Sequence, residues 1–220
     1  SITVGSVSTS VDNSLGVEVE NDSTINSFAV GNTTPVSIGS GKTLSGGIGV
    51  TAGSIKLTDT GTLASNVLMS GGTTLDADNT LTVSGALTQS GDITIDVLDN
   101  KTLSYSGASL SLGANTLRFS GGGTFSNTNP LLLDNASSKL LLSSITVDSV
   151  STSVDNSLGV EVENDSTISS FAVSNITPVS IASGKTLSGG IGVTAGSIKL
   201  TDNGTLASNV SMSGGTTLDA

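Results

Sequence analysis

The chain contains no cysteine, no histidine and no tryptophan. The lack of cysteine fits either the cytosol or a bacterial surface protein stabilised by repetition rather than by disulfides. Losing cysteine and histidine together removes the usual nucleophile–base pairs and most transition-metal sites. Aromatic residues are few: Tyr105 and four phenylalanines. A compact sandwich usually sets several large rings at its centre. A thin core of Val, Ile and Leu on closely spaced strands does not need them.

Basic residues are also scarce. Lys and Arg number 7 against 18 Asp and Glu, the only arginine is Arg118, and the net charge is −11. Nucleic acid is therefore excluded as a partner, because phosphate binding needs Lys and Arg. No apolar run approaches the roughly 18 residues of a membrane span. The longest aliphatic clusters are Leu131, Leu132, Leu133 and Leu140, Leu141, Leu142. No signal peptide is visible, and the first residue is Ser1.

What is present is Ser and Thr, about a third of the chain, with 28 Gly and recurring Val, Ile and Leu. Charged residues make up 11%, too few for the usual disordered composition. This is an ordered chain.

Its strongest feature is a repeat. Residues 1–77 match residues 144–220 at a constant offset of 143, with 70 of 77 positions identical. The differences are Gly5/Asp148, Asn26/Ser169, Gly31/Ser174, Thr33/Ile176, Gly39/Ala182, Thr60/Asn203 and Leu68/Ser211. The stretch GKTLSGGIGVTAGSIKLTDTGTLASN at 41–66 thus returns at 184–209 with one change. Such identity points to recent duplication. We expect one continuous segment over 1–220, a whole unit 1–143 followed by a partial unit from 144, taken from a longer tandem array.

So long a unit needs a finer period inside it. A Thr or Ser followed by an aliphatic recurs at GKTL (Leu44), TGTL (Leu63), DNTL (Leu81), DNKTL (Leu103), ANTL (Leu117), SSKL (Leu140) and DNSL (Leu158). Seven turns of about 20 residues would fill the unit. Within each period apolar residues alternate. Ile55 and Leu57 flank Lys56; Ile93, Ile95 and Val97 flank Thr94 and Asp96; Leu15, Val17 and Val19 flank Gly16 and Glu18. Alternation in Thr-, Val- and Ile-rich runs, punctuated by Gly-Gly and Asp-Asn steps, is the strand signal. The expectation is an all-β parallel β-helix (β-solenoid) of about 20 residues per rung, advancing roughly 34 Å per unit. The alternative is a set of tandem β-sandwich modules. Leu68/Ser211 and Thr33/Ile176 should face outward, and Gly31/Ser174 and Gly39/Ala182 should not need a positive φ.

The search for chemistry yields little. A Ser-Lys dyad would have to use Lys42, Lys56, Lys101 or Lys139, and solvated lysine is the ordinary reading. Polysaccharide-acting β-helix enzymes need clustered carboxylates with Arg or Lys, and Arg118 stands alone. Calcium has two weak candidate groups: Asp76, Asp78 and Asn79 in LDADN, and Glu18, Glu20 and Asp22 in VEVEND. Neither the EF-hand loop nor the GGxGxDxUx nonapeptide occurs. Threonine rows suited to binding ice are missing along the chain, where TLT at 80–82 is isolated. Asn-x-Ser/Thr occurs at Asn21, Asn32, Asn135, Asn164, Asn175 and Asn203, among others, as expected by chance in so hydroxyl-rich a sequence. No catalytic residue, resident metal or cofactor is assigned.

Stretches such as NTLTVSGALTQSGDITI and GANTLRFSGGGTFSNTNPLLL resemble the passenger repeats of bacterial autotransporters and filamentous-haemagglutinin-type adhesins. The resemblance is one of texture and spans the whole chain. It implies a right-handed parallel β-helix, extracellular or on a bacterial cell surface, acting as stalk, fibre, sheath or adhesin. The corresponding partners are further copies of its own repeat, in the same chain or head to tail, with lateral self-association or surface glycans as the other candidates. A glycan-binding face is the second functional reading and a polysaccharide-acting enzyme the third.

Overall fold

A computed structural model of the chain describes residues 1–12, 15–156 and 158–220. It is a parallel β-solenoid of eleven stacked coils. The fourth coil shows the plan most clearly, with strands Thr62–Leu63, Asn66–Met69 and Thr74–Ala77 separated by two bends. These give each rung three faces. In outer rungs the first two faces run on as one longer strand, as in Ser23–Val30, Thr43–Val50 and Ser166–Val173. Faces one and two form a 14-stranded sheet and face three an 11-stranded sheet. The strands pair in parallel with those of neighbouring rungs, so no sandwich modules form.

The rung length varies. Thr43 sits over Thr62, whereas Ile93 sits over Leu117, a longer step along the chain. The repeat nevertheless closes on whole rungs. Ser23–Val30 and Ser166–Val173, the same strand in the two copies, lie seven steps apart along the first sheet.

Alternation builds the core. In Ser54–Leu57 and Ile93–Val97 every second residue is buried. Stacking places these residues in columns, and each touches its counterparts above and below. All five aromatic rings are interior: Phe28, Phe171, Tyr105, Phe119 and Phe125. The last three cluster mid-stack, Phe125 lying 4.8 Å from Phe119 and 5.8 Å from Tyr105 between ring centroids. The Tyr105 hydroxyl donates to the Ala108 carbonyl at 2.7 Å and accepts from the Leu87 N–H at 3.1 Å. Its polar end is thus satisfied inside the core.

Corners have their own chemistry. The bend between faces one and two brings rungs too close for a side chain at Gly46, where φ is +117° and a Cβ would stand 1.8 Å from the Ile25 carbonyl oxygen. Gly189 repeats this geometry over Ile168. At other corners carboxylates link successive rungs. Asp12 accepts from the Thr33 N–H at 3.1 Å, Asp22 from Thr43 at 3.0 Å, Asp92 from Thr116 at 2.7 Å, Asp155 from Ile176 at 2.9 Å and Asp165 from Thr186 at 2.8 Å. Bonds to an ionised acceptor are roughly twice as strong as neutral ones. Much of the acidic excess is therefore structural.

The Thr-Leu marks divide into two series. Leu44, Leu63, Leu81 and Leu103 belong to face one, but Leu117 and Leu140 belong to face three. Leu158 marks neither, for it is 47% exposed in a turn, and its counterpart Leu15 is 89% exposed. Both precede a glycine of positive φ, Gly159 or Gly16, whose missing Cβ admits a proline carbonyl from the next rung. The strand alternation starts only after that turn. Asn13, Ser14 and Ser157 of the DNSL motifs lie outside the described residues.

None of the seven differing positions faces the core. Leu68, Thr33 and Ile176 are exposed, and neither Gly31 nor Gly39 has a positive φ.

Candidate functional site: a charged face and an uncharged one

Face three carries most of the side chains with chemical potential. Its outward columns are set by the strand register, which places Lys56 over Asp76 and Asp76 over Asp96. The Lys56 Nζ lies 2.8 Å from Asp78 and 3.4 Å from Asp76. Its ammonium is held above its usual pKa, first by the bond to Asp78. Burial, more than the neighbouring Asp78 charge, pushes Asp76 above the usual carboxylate range against the pull of Lys56. Asp78 is thus the true ion-pair partner, and Asp76 is a crowded carboxylate that the same lysine partly relieves. Below it, Asp96 accepts from the Ser120 hydroxyl.

Two further cations on this face are similarly engaged. Arg118 reaches across two rungs to Glu163 at 2.6 Å, and Lys139 pairs with Glu161 at 2.6 Å. The dyad candidates Lys56 and Lys139 are therefore in ion pairs, while Lys42 and Lys101 sit on turns entering face one.

Of the calcium candidates, Asp76 and Asp78 converge, but on the Lys56 ammonium. Asn79 turns away, its Oδ1 accepting from the Thr80 N–H at 2.9 Å. Glu18 and Glu20 are exposed, and Asp22 is bonded to the next rung. Among the described residues no group of three or more Asp, Glu, His or Cys could hold a metal ion. Asn21, Asn32, Asn135, Asn164, Asn175 and Asn203 of the Asn-x-Ser/Thr sites lie outside the strands, whereas Asn209 of a further site sits within Thr205–Met212.

Face one shows what reading along the chain missed. Stacking gathers Thr102, Thr124, Thr146 and Thr167 into one outward column, though each lies a full rung of chain from the next. Thr80 stands at its head, its Oγ1 accepting from the Thr102 N–H at 3.2 Å. The isolated TLT is one rung of a ladder that runs across the chain.

Face two differs from both. From Ser6–Thr9 in the first rung to Asn209–Met212 in the last, it carries no charged residue. Gly47 and Gly49 leave a shallow trough there, bounded by Ser27, Asn66 and Leu68.

Comparison with family models, with curated proteins and with solved structures finds no match for this chain.

Proposed function

We propose that the chain is a length-setting structural segment of an extracellular fibre, stalk or sheath on a bacterial surface, in which the number of repeat units fixes the length. The observation that carries this is the match between repeat and rung: one unit is a whole number of coils, seven. A fractional count would rotate the three faces about the axis at every junction. A whole count returns each face and corner to its own column. Units can then be added without a new interface, each rung being stabilised by its neighbours. The partners of this reading are further copies of the repeat, in the same chain or head to tail. No reaction and no resident cofactor is assigned.

The test is length against unit number. Chains with two, three and four units, imaged by negative-stain electron microscopy, should lengthen by about 34 Å per unit at constant width. Particles that grow in width instead would overturn the proposal. Protease shaving of intact cells tests the location: surface display predicts cleavage without lysis.

A further inference from the structure

We infer that face two is a lateral docking surface for a second copy of this chain, packed face to face with the two solenoid axes antiparallel. The inference extends the fibre reading but stands on this face alone.

Charge selects the face. The chain carries a net charge of −11, with the ionic clusters on face three and Asp148 on face one. Two identical acidic copies repel wherever those faces meet. Only face two has no charged residue within its strands; the one carboxylate at its rim is Asp134, next to Leu131–Leu133, which is bonded to the Ser111 hydroxyl and the Gly113 N–H. Hydroxyls at its centre and rim already donate to the preceding rung: Thr51 to Val30 at 3.2 Å, Thr88 to Val67 at 3.4 Å and Thr194 to Val173 at 3.3 Å. Burying them therefore leaves few unpaired donors.

Shape selects the orientation. One outward column reads, from the third rung to the eleventh, Gly49, Leu68, Thr88, Ser111, Leu132, Ser151, Ala172, Gly192, Ser211. Leu68 is the knob, 51% exposed. A two-fold axis along the seventh rung sets Leu132 against its own copy. It then seats Leu68 over Gly192 of the other chain, and sets Thr88 over Ala172 and Ser111 over Ser151. Large meets small, with leucine on leucine at the axis; the one like-charge pair, Asp134 on its own copy, falls at the rim, where each carboxylate is bonded to Ser111 and Gly113 of its own chain. Parallel copies would oppose rungs of equal height, so the Gly47/Gly49 trough would face itself and stay empty. The column repeats with the unit except at Leu68, which is Ser211 in the second copy, so added units extend the same uncharged face. Rungs three to eleven present roughly 40 Å by 13 Å, about 1,000 Å² in total across the two copies, the lower limit for a specific interface. Affinity should therefore rise steeply with unit number.

The chain has no cysteine, so single cysteines give unambiguous cross-links. Gly192→Cys is tolerable, because its Cβ meets no atom within 4 Å. With a bismaleimide of about 10 Å reach, matched to the sheet spacing, Leu132→Cys should cross-link to itself. Leu68→Cys should not, but should do so when mixed with Gly192→Cys. Leu132→Glu should weaken dimerisation at least tenfold in sedimentation equilibrium without lowering the melting temperature, and mixing with Leu132→Lys should restore it. A chain of three units that stays monomeric, or Leu68→Cys cross-linking to itself as well as Leu132→Cys does, would overturn the inference. Neither result touches the length increment per unit, so the two proposals fail separately.

Discussion

Gly46 offers the sharpest test of the corner geometry, because the sequence supplies its own controls. Replacing it with alanine puts a methyl 1.8 Å from the Ile25 carbonyl oxygen at a φ of +117°. Holding a non-glycine residue there costs about 1–3 kcal/mol. Forcing the two rungs apart adds about 1–3 kcal/mol as overpacking. The sum is about 2–6 kcal/mol. Three residues on, Gly49→Ala meets no atom within 4 Å and needs no positive φ, so it should be neutral or stabilise by about 0.5 kcal/mol. Urea unfolding measures the difference, and hydrogen exchange locates it. In a stack held by nearest neighbours, Gly46→Ala should deprotect Ser23–Val30 and Thr43–Val50, and Gly189→Ala should deprotect Ser166–Val173 and Thr186–Val193. The reasoning fails if Gly46→Ala costs less than about 1 kcal/mol, or if Gly49→Ala costs as much.

Lys56→Met should destabilise the fold by about 1 kcal/mol at pH 7, since it strips the partner from Asp76 and Asp78. Folded Asp76 has a raised pKa and binds its proton more tightly than the unfolded chain, so the loss should shrink on acidification as Asp76 becomes neutral; a series of melting curves taken from neutral to acidic pH would show it. In the native chain the raised Lys56 pKa means that its stabilisation is present below the ordinary lysine value and disappears as pH rises through the raised one, visible as a falling melting temperature in strong alkali. Gln89→Met should stabilise by about 1 kcal/mol in chemical denaturation, because the Gln89 Oε1 is buried without a partner and the Leu112 carbonyl keeps its bonds from Asn115. Phe125→Ala should cost about 3–5 kcal/mol in the same assay, since the ring is fully buried between Phe119 and Tyr105.

The solenoid was legible in the sequence because two signals agree: the long internal repeat and alternation in short runs such as Ser54–Leu57. What lies beside what along the axis was not. The step from Thr43 to Thr62 is shorter than that from Ile93 to Leu117, so a neighbour one rung away has no fixed offset. Hence Thr80 and Thr82 read as an isolated pair, although a threonine ladder continues through Thr102 and Thr124. Hence also Asp76, Asp78 and Asn79 read as converging oxygen ligands. Lys56, one rung earlier, was not recognised as the partner that two of them share. The wrong placement of Leu15 and Leu158 has a different cause. A single left-handed glycine resets the alternation, and Gly16 looks like any other glycine until Pro35 of the next rung is set against it.

The positions of the seven differences follow from the same stacking. An inward side chain fills space shared with the rung above and the rung below, so a change of size there strains two interfaces at once. An outward one meets mainly solvent. At one difference the rung-to-rung bond uses the backbone, since Asp12 accepts from the Thr33 N–H and Asp155 accepts equally from the Ile176 N–H. The side chain there can change from Thr to Ile while the link between rungs persists. Asp148 and Ser174, replacing Gly5 and Gly31, instead add side-chain links to neighbouring rungs. A fold held by backbone ladders, inward columns and carboxylate links to N–H groups leaves its outer surface free to vary. Any specificity in such a stack must then be written on its faces. The column of leucine, glycine and small hydroxyls on face two is where that surface departs from solvated monotony, and it varies between copies at Leu68/Ser211.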